Sequence, residues 1–449
     1  MSASVKVRLV AGTPPHDGIL IWEGLRAQLG LPADFEGPVK VGGRVRTVRV
    51  TAGGARERVV VSPRVAEELL LPLPKTLWIR YDAQQGTLRL GPVVAILTVK
   101  RRRAGPRSPR LFGVRNLDIR QLMRHAGRLG LMAVAVSPEG VHPDRDWIEG
   151  YVLSGKRWAL VKYPLPDVVY DRIQARSWER RPKAQRAKAF FQSSPGVKYF
   201  NEGFFDKWSL YQKMSSHPAL APYLPVTRQL TGPESLKAFL KEHGSTFLKP
   251  TEGSQGKGIV RVRRVKGMYE WRRGSRTHRT SRFDVLYQGI ARIQRRKRYI
   301  MQPDLHLASL RGSPFDIRIL MQKDGTGTWK RTKIYARVAA KGRLTSNLSR
   351  GGTGYYVGSL LRIRFGKARR RLREKIDQAA KTIVHALDEV FETPLGELGL
   401  DLGIDRKGRI WLIEVNAKPF RKVVDAGPRR GVYLSFHRPM AYARYLAGF

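Results

Sequence analysis

From Val5 to Asp82 the chain alternates apolar and polar residues in short runs: Val5 to Val10, Val45 to Ala52, Glu57 to Ser62 and Thr76 to Asp82. A period of two is the signature of strands with one covered face, and Gly42-Gly43, Gly53-Gly54 and Gly86 between the runs predict tight turns. A helical stretch from Ser62-Pro63 through Leu71 interrupts them, so residues 1–90 are expected to form a small β domain. The apolar run Pro92 to Val99 then predicts a buried strand. After a basic loop from Lys100 to Arg110, the helix Asn116 to Leu129 and the strand Leu131 to Val136 complete the spacing of a parallel strand–helix–strand unit. With Trp158 to Val161 and Asp167 to Tyr170 it makes residues 91–195 a small α/β domain.

The order of strand, short helix and Leu-Pro turn from Val59 to Pro72 is that of double-psi or swapped-hairpin barrels, and of many other small barrels. Beyond residue 200 the predicted strands are Phe247 to Lys249, Gly258 to Val262, Tyr299 to Gln302, Asp316 to Met321 and Lys333 to Val338, separated by long helices. The most basic helix, Lys367 to Phe391, opens with a charged run read as a solvated face. It then carries an apolar stripe at Ile376, Ala380, Ile383, Val384 and Leu387. The chain shows no internal repeat and no long low-complexity linker.

Composition adds one large fact to this pattern. The 449 residues, enough for two or three domains, include 85 Lys and Arg against 36 Asp and Glu, a net charge of +49. Such a field gathers nucleic acid, anionic polymers, nucleotides and acidic peptides, and salt weakens it. An Arg-rich coding bias or a thermophile's surface would give the same balance. The absence of cysteine excludes disulfides, thiolate zinc sites and cysteine nucleophiles. The opening Met1 to Arg8 lacks the apolar core of a signal peptide and no apolar run approaches bilayer length, so a soluble protein made in the cytoplasm, with no membrane span, is expected.

Two segments carry candidate chemistry. In Phe247 to Val260 a strand ending in Lys249 leads into a loop with Gly253, Gly256, Lys257 and Gly258 and on into another strand, offering backbone N–H and ammonium groups to phosphate oxygens. It is not a Walker A loop, because Thr251 and Gly258 occupy positions that motif reserves for Gly and Ser/Thr. Taken alone, such a hairpin also reads as a plain turn. Near the C-terminus two apolar strands joined by the turn Asp405 to Gly408 carry Asp401 on one and Glu414 and Asn416 on the other. Residues i and i+2 share a strand face, so two carboxylates and an amide oxygen can converge on a hard cation such as Mg²⁺; ordinary exposed strand polars are the alternative.

The order Asp206-Lys207-Trp208, Lys249-Pro250 with its Gly-rich loop, Tyr299 to Gln302, Asp316-Ile-Arg318, Arg337, Asn347 with Gly351-Gly352, Asp401 and Glu414-Val-Asn416 resembles the ATP-grasp superfamily over about residues 200–425. Pro166 to Ile173, Lys207 to Tyr211 and Leu224 to Thr227 look most like its YheC/YheD endospore coat-associated group. The resemblance implies an α/β ATP-grasp fold over residues 196–449, with a lid at about 225–300, preceded by a pre-ATP-grasp domain and the N-terminal β domain. It implies that Lys207 and Lys249 hold ATP phosphates under the Gly253, Ser254, Gly256, Lys257 and Gly258 loop. Gln302 and Asp304 would lie at the adenine hinge, Asp401, Glu414 and Asn416 would bind Mg²⁺, Arg318 and Arg337 would face an acyl phosphate, and the Asn347 loop would cover the substrate. Two departures stand out: no clear ribose-binding acid follows the hinge, and Gly399 replaces an arginine found in D-alanine:D-alanine ligases.

The implied activity is ATP- and Mg²⁺-dependent ligation of a carboxylate to an amine, on an acidic peptide or polymer during sporulation. The competing expectation is a spore-associated protein that binds coat proteins, acidic material or nucleic acid through its charge without catalysis. The histidines show no metal-ligand spacing, His306 and His385 being expected as satisfied structural groups, and Trp208, Tyr211 and Tyr299 are read as core.

Overall fold

The computed structural model describes residues 3–449 except 55, 107, 254–255, 295–296, 344–345, 347, 349–350, 422–428 and the side chain at 429. Residues 4–91 close into a seven-stranded barrel ordered Ser4–Ala11, Arg58–Val61, Gly18–Ile21, Arg44–Ala52, Phe35–Val41, Thr87–Gly91, Lys75–Asp82. Its alternating positions Leu9, Ile19, Ile21, Val39, Val59, Val61, Leu77 and Ile79 are wholly buried inside. Ser62 caps the short helix Pro63–Glu68, its hydroxyl accepting from the Val65 N–H at 3.3 Å, with Pro63 preset for the first turn. The helix Glu23–Leu29 was not expected: it buries only Leu25 and Leu29, too little to show a 3.6-residue period.

The second sheet is ordered Arg157–Pro164, Trp147–Ser154, Met132–Val136, Val93–Leu97, Val168–Asp171, Lys198–Phe200. Val93–Leu97 runs parallel to Met132–Val136, with the helix Asn116–Arg128 between them in sequence, and parallel to Val168–Asp171 on its other side. Both are covered on two faces, which is why they read as unbroken apolar runs.

Two antiparallel sheets make up most of the remainder. The first is ordered Arg228–Gln229, Tyr299–Pro303, Ser245–Pro250, Val260–Val265, Met268–Arg273, Arg276–Thr280. The helices Pro233–His243 and Phe283–Gln294 pack Leu236, Phe239, Leu286 and Ile290 against its Leu248, Val260 and Val262. That alternation leaves Phe247 and Lys249 on the uncovered face. The second is ordered Thr353–Tyr355, Trp329–Val338, Ser313–Lys323, Glu397–Ile404, Ile410–Asn416. On one face the helix Arg369–Val390 buries its stripe, Ile376, Ala380, Ile383, Val384 and Leu387, against Ile317, Ile319, Leu400 and Leu402. Each isoleucine, valine and leucine of that stripe contributes about 1.5–3 kcal/mol, while the charged run at the helix start is largely exposed. The opposite face therefore holds Arg318, Asp401 and Glu414, directly opposite one another across three strands.

A buried ionic joint ties this sheet to the second one. Lys418 Nζ lies 2.7 Å from Asp171 and 3.0 Å from Glu179, and Glu397 receives Arg172 at 2.5 Å and Arg421 at 2.6 Å. Asn201 donates to the Glu397 and Ala417 carbonyls at 2.7 and 2.6 Å and accepts from the Gly396 and Glu397 N–H groups at 2.9 Å. Among the described residues no helix is long and apolar enough to cross a membrane.

Candidate functional site

The uncovered faces of the last two sheets enclose a cleft whose largest cavity is about 720 Å³. A second, of about 400 Å³, shares Lys207, Lys249, Gly253, Gln302, Asp401 and Glu414 with it and opens toward Gly256, Lys257 and Asp304. Both volumes are in the range of small-molecule sites.

Lys249 projects from its strand beside Gln302, donating to the side-chain carbonyl at 2.6 Å, while the Gln302 amide donates to Thr227 Oγ1 at 2.9 Å and is thereby oriented. Burial pushes the Lys249 ammonium down to about 8; Glu414 works against that shift and Lys207 adds to it. Lys207 is the first residue of the helix Lys207–Ser215, whose cap Asp206 accepts from the Trp208 and Ser209 N–H groups at 2.9 and 3.0 Å. Its Nζ donates to the Gly253 carbonyl at 3.1 Å and lies 3.3 Å from Glu414. The loop between the strands turns through Gly253, Gly256 and Gly258, all at positive φ. At Gly258 a Cβ would stand 3.0 Å from Pro250 and 3.2 Å from the Tyr299 hydroxyl, so only glycine fits without displacement.

Across the cleft, Asp401 is opposite Glu414 and Gly399 opposite Asn416. A β-bulge after Asp401 pairs Leu402 with Leu412 and leaves Ile413 as the extra residue, so Leu412 enters the core while Ile413 lines the cleft beside Glu414. Arg318 Nη1 donates to Asp401 Oδ1, and Arg337 Nη2 reaches Asp401 Oδ2 at 2.8 Å. Arg337 is also held by Asp316 through two bonds of 2.7 Å, and the Ser346 hydroxyl donates to the same carboxylate. Burial alone would raise the Asp401 carboxyl; the two guanidiniums more than reverse it and hold it below its usual range. Asp316, equally buried, is raised. The Arg318 guanidinium fills the space above Gly399, where a Cβ would come within 2.8 Å of Nη2. An arginine on one strand thus occupies room that a larger residue at 399 would claim.

An oxygen-rich trio of two carboxylates and one amide suits a hard divalent cation. Asp401 and Glu414 are already ion-paired, but a carboxylate offers about four lone-pair directions, so the set fits Mg²⁺ without losing its cationic neighbours. Of the residues named from sequence, Ser254 and Asn347 lie outside the described residues. Apart from Gly258, which shapes the loop, the others line one or both cavities. Asp304 lines the smaller cavity with its carboxylate paired to Arg261 at 2.5 Å. Two expectations are corrected: His306 and His385 are exposed, His306 lining the cleft, and Trp208 and Tyr211, read as core, are half-buried and stacked on each other at 5.8 Å, Tyr211 on the cavity wall. Sequence reading also missed Arg115, Gln174 and Arg176, which the second sheet's domain supplies to the larger cavity.

The sequence profile described as "YheC/D like ATP-grasp" matches residues 196–446, more than half of the chain. The chain belongs to the YheC/D-like ATP-grasp family. This YheC/D-like chain is 28% identical over 400 residues to the endospore coat-associated protein YheD of Bacillus subtilis (strain 168), covering 87% of the chain and 86% of that protein. To YheC of the same organism it is 25% identical over 310 residues, covering 68% of the chain and 85% of that protein. Among solved structures it is similar to D-alanyl-alanine synthetase A from Vibrio cholerae O1 biovar eltor, at 14% identity and a TM-score of 0.47 over 79% of this chain and 98% of that one.

Proposed function

We propose that the cleft binds ATP with Mg²⁺ and ligates a carboxylate to an amine, acting on an acidic peptide or polymer. The observation that carries this reading is the meeting, in one cavity, of Lys207 and Lys249 with the Asp401, Glu414 and Asn416 trio and the Arg318–Arg337 pair. A carboxylate oxygen of the substrate attacks the γ-phosphorus, the bond to the β-phosphate oxygen breaks, and ADP leaves an acyl phosphate. The amine attacks its carbonyl carbon, phosphate departs with the C–O bond, the nitrogen loses a proton, and an amide remains. Lys207 and Lys249 hold the phosphates. Arg318 and Arg337, fixed by Asp401 and Asp316, meet the negative charge that develops on the transferred group, so electrostatic prepositioning replaces a covalent nucleophile. Mg²⁺, when bound by Asp401, Glu414 and Asn416, neutralises phosphate charge. The names of YheD and YheC support a setting in sporulation, with spore coat proteins as partners.

Glu414→Gln is expected to abolish substrate-dependent ADP release while the protein stays folded by circular dichroism; retained turnover would remove the Mg²⁺ assignment. A second reading, anion binding without catalysis, draws on the basic face of the Ser245–Thr280 sheet, where Arg263 and Arg279 share the single carboxylate of Glu270. Salt-sensitive duplex DNA binding with no ADP release under any acidic peptide and amine would favour it.

A further inference from the structure

The larger cavity extends well past the proposed nucleotide seat. Its wall follows the chain from Glu414 through Asn416 and Lys418 to Phe420, seven residues whose six steps span at most about 22 Å. At the Phe420 end the second sheet's domain supplies Arg115, while its Arg176 lines the cavity nearer Lys207. Among the described residues the only carboxylates lining the cavity are Asp401 and Glu414, both at the other end.

Arg115 is 5% exposed. Its guanidinium lies 3.6 Å from the Phe420 ring centroid and donates to Asp118 at 3.0 Å. Its charged neighbours include Arg172 and Arg421, both of which are spent on Glu397. Burial and Arg172 together pull its pKa down to about 10 even though Asp118 opposes them. A desolvated guanidinium with one carboxylate and two like charges around it is stabilised by a further anion, and stacking on an aromatic ring leaves its edge free for a planar bidentate partner. Arg176, half-buried, donates to the Phe204 and Phe205 carbonyls at 3.4 and 2.5 Å and has Glu252, Glu179 and Asp206 among its charged neighbours, so its charge is already answered within the chain.

We infer that Arg115 forms a carboxylate-binding subsite at the Phe420 end of the cavity. On the ligase reading above, on which this inference rests, the substrate then carries at least two carboxylates: one activated beside Arg318 and Arg337, another anchored at Arg115. Substrates of this class are polycarboxylates such as a run of acidic side chains in a peptide, and the anchoring carboxylate sets which one is presented for activation.

The test uses the full chain, a fluorescein-labelled pentaglutamate peptide and its pentaglutamine counterpart, each titrated in the presence of Mg²⁺ and a non-hydrolysable ATP analogue. Wild type is expected to prefer pentaglutamate, and Arg115→Gln to weaken that binding at least tenfold, with Arg115→Lys in between because it keeps the charge and loses the fork. Thermal melting reports whether each variant is folded; should Arg115→Gln not fold, Arg115→Lys carries the test, with a several-fold loss expected. Equal binding of the two peptides by wild type, or pentaglutamate affinity that no folded Arg115 variant alters, would overturn the subsite. The ATP analogue titration is read separately. Arg115-dependent pentaglutamate binding with no nucleotide binding would remove the ligase reading and leave an anion subsite; nucleotide binding without Arg115 dependence would do the reverse.

Discussion

Lys418 and Lys249 are both lysines withdrawn from water, and the chain holds them in opposite ways. Lys418, in the joint between the second sheet's domain and the ATP-grasp core, has a side chain 2% exposed and two carboxylates within 3.0 Å. One of these, Asp171, is itself satisfied by the Ile173 N–H and the Tyr199 hydroxyl, each at 2.9 Å. Lys249, in the cleft, is hydrogen-bonded to a neutral amide, and the carboxylate that supports its charge, Glu414, is paired with Lys207. A joint that must persist closes its charges within the chain. A seat for an anionic ligand leaves a desolvated cation waiting for one.

The comparison breaks most visibly at the joint. Lys418→Met leaves Asp171 and Glu179 buried with less than their full complement of cations, and removing one partner of a buried pair costs about 3–5 kcal/mol. A large fall in the denaturant midpoint is therefore expected. A shift no greater than that of a surface substitution would mean that the joint is not where the two parts are held together.

At Lys249 the expected pattern is inverted. Lys249→Met removes a cation whose side-chain hydrogen bond among the described residues is to an amide and whose depressed pKa marks its charge as costly in the ligand-free fold. Unfolding free energy at neutral pH should therefore not fall and should rise by up to about 3 kcal/mol, while loss of a charged hydrogen bond to phosphate lowers ATP affinity on the order of 10- to 100-fold. Calorimetric titration and denaturant unfolding on the same two variants give a crossed result: one loses stability, the other loses ligand. If Lys249→Met instead lost stability and kept its affinity, the two lysines would have to exchange roles.

This contrast also marks what the sequence could disclose. Local periodicity showed the stripe from Ile376 to Leu387, the parallel pair Val93–Leu97 and Met132–Val136, and the hairpin that carries Asp401 and Glu414, because each depends on neighbours a few positions away. The residues brought to the cleft by those strands were legible for the same reason. Arg115 and Arg176 were not, since nothing near them in sequence indicates that Phe420, hundreds of positions later, lies against Arg115, or that the Phe204 and Phe205 carbonyls hold Arg176 at the cavity. Nor was the clasp of Asp316 on Arg337, which two strands must be paired to create. Strict alternation also places Leu412 on Glu414's face, and only the bulge exchanges it for Ile413. Charge told that an anion matters; partnership, which only the fold supplies, separates Lys249 from Lys418.

The smallest expected effect sharpens the comparison through pH. In the free chain Lys249 titrates near 8, well below an ordinary lysine, because burial disfavours the ammonium. Between about 8 and the usual lysine value near 10.4 the unfolded chain binds more protons there than the folded one, so this group makes the ligand-free protein more stable as pH rises through that window. Nucleotide binding has the opposite sign, since phosphate oxygens favour the ammonium and raise its pKa. At pH 9, therefore, ATP should bind with uptake of close to one proton, seen as a calorimetric enthalpy that depends on the ionisation enthalpy of the buffer, whereas at pH 7 Lys249 is already charged and contributes no uptake. Affinity should weaken above pH 8 by up to about tenfold per unit. Lys249→Met should abolish the extra uptake at pH 9, while Lys418→Met, where folded, should retain it. Uptake that survives in Lys249→Met would assign the waiting cation to another residue of the cleft, Lys207 and Lys257 being the lysines beside Lys249 on the smaller cavity's walls.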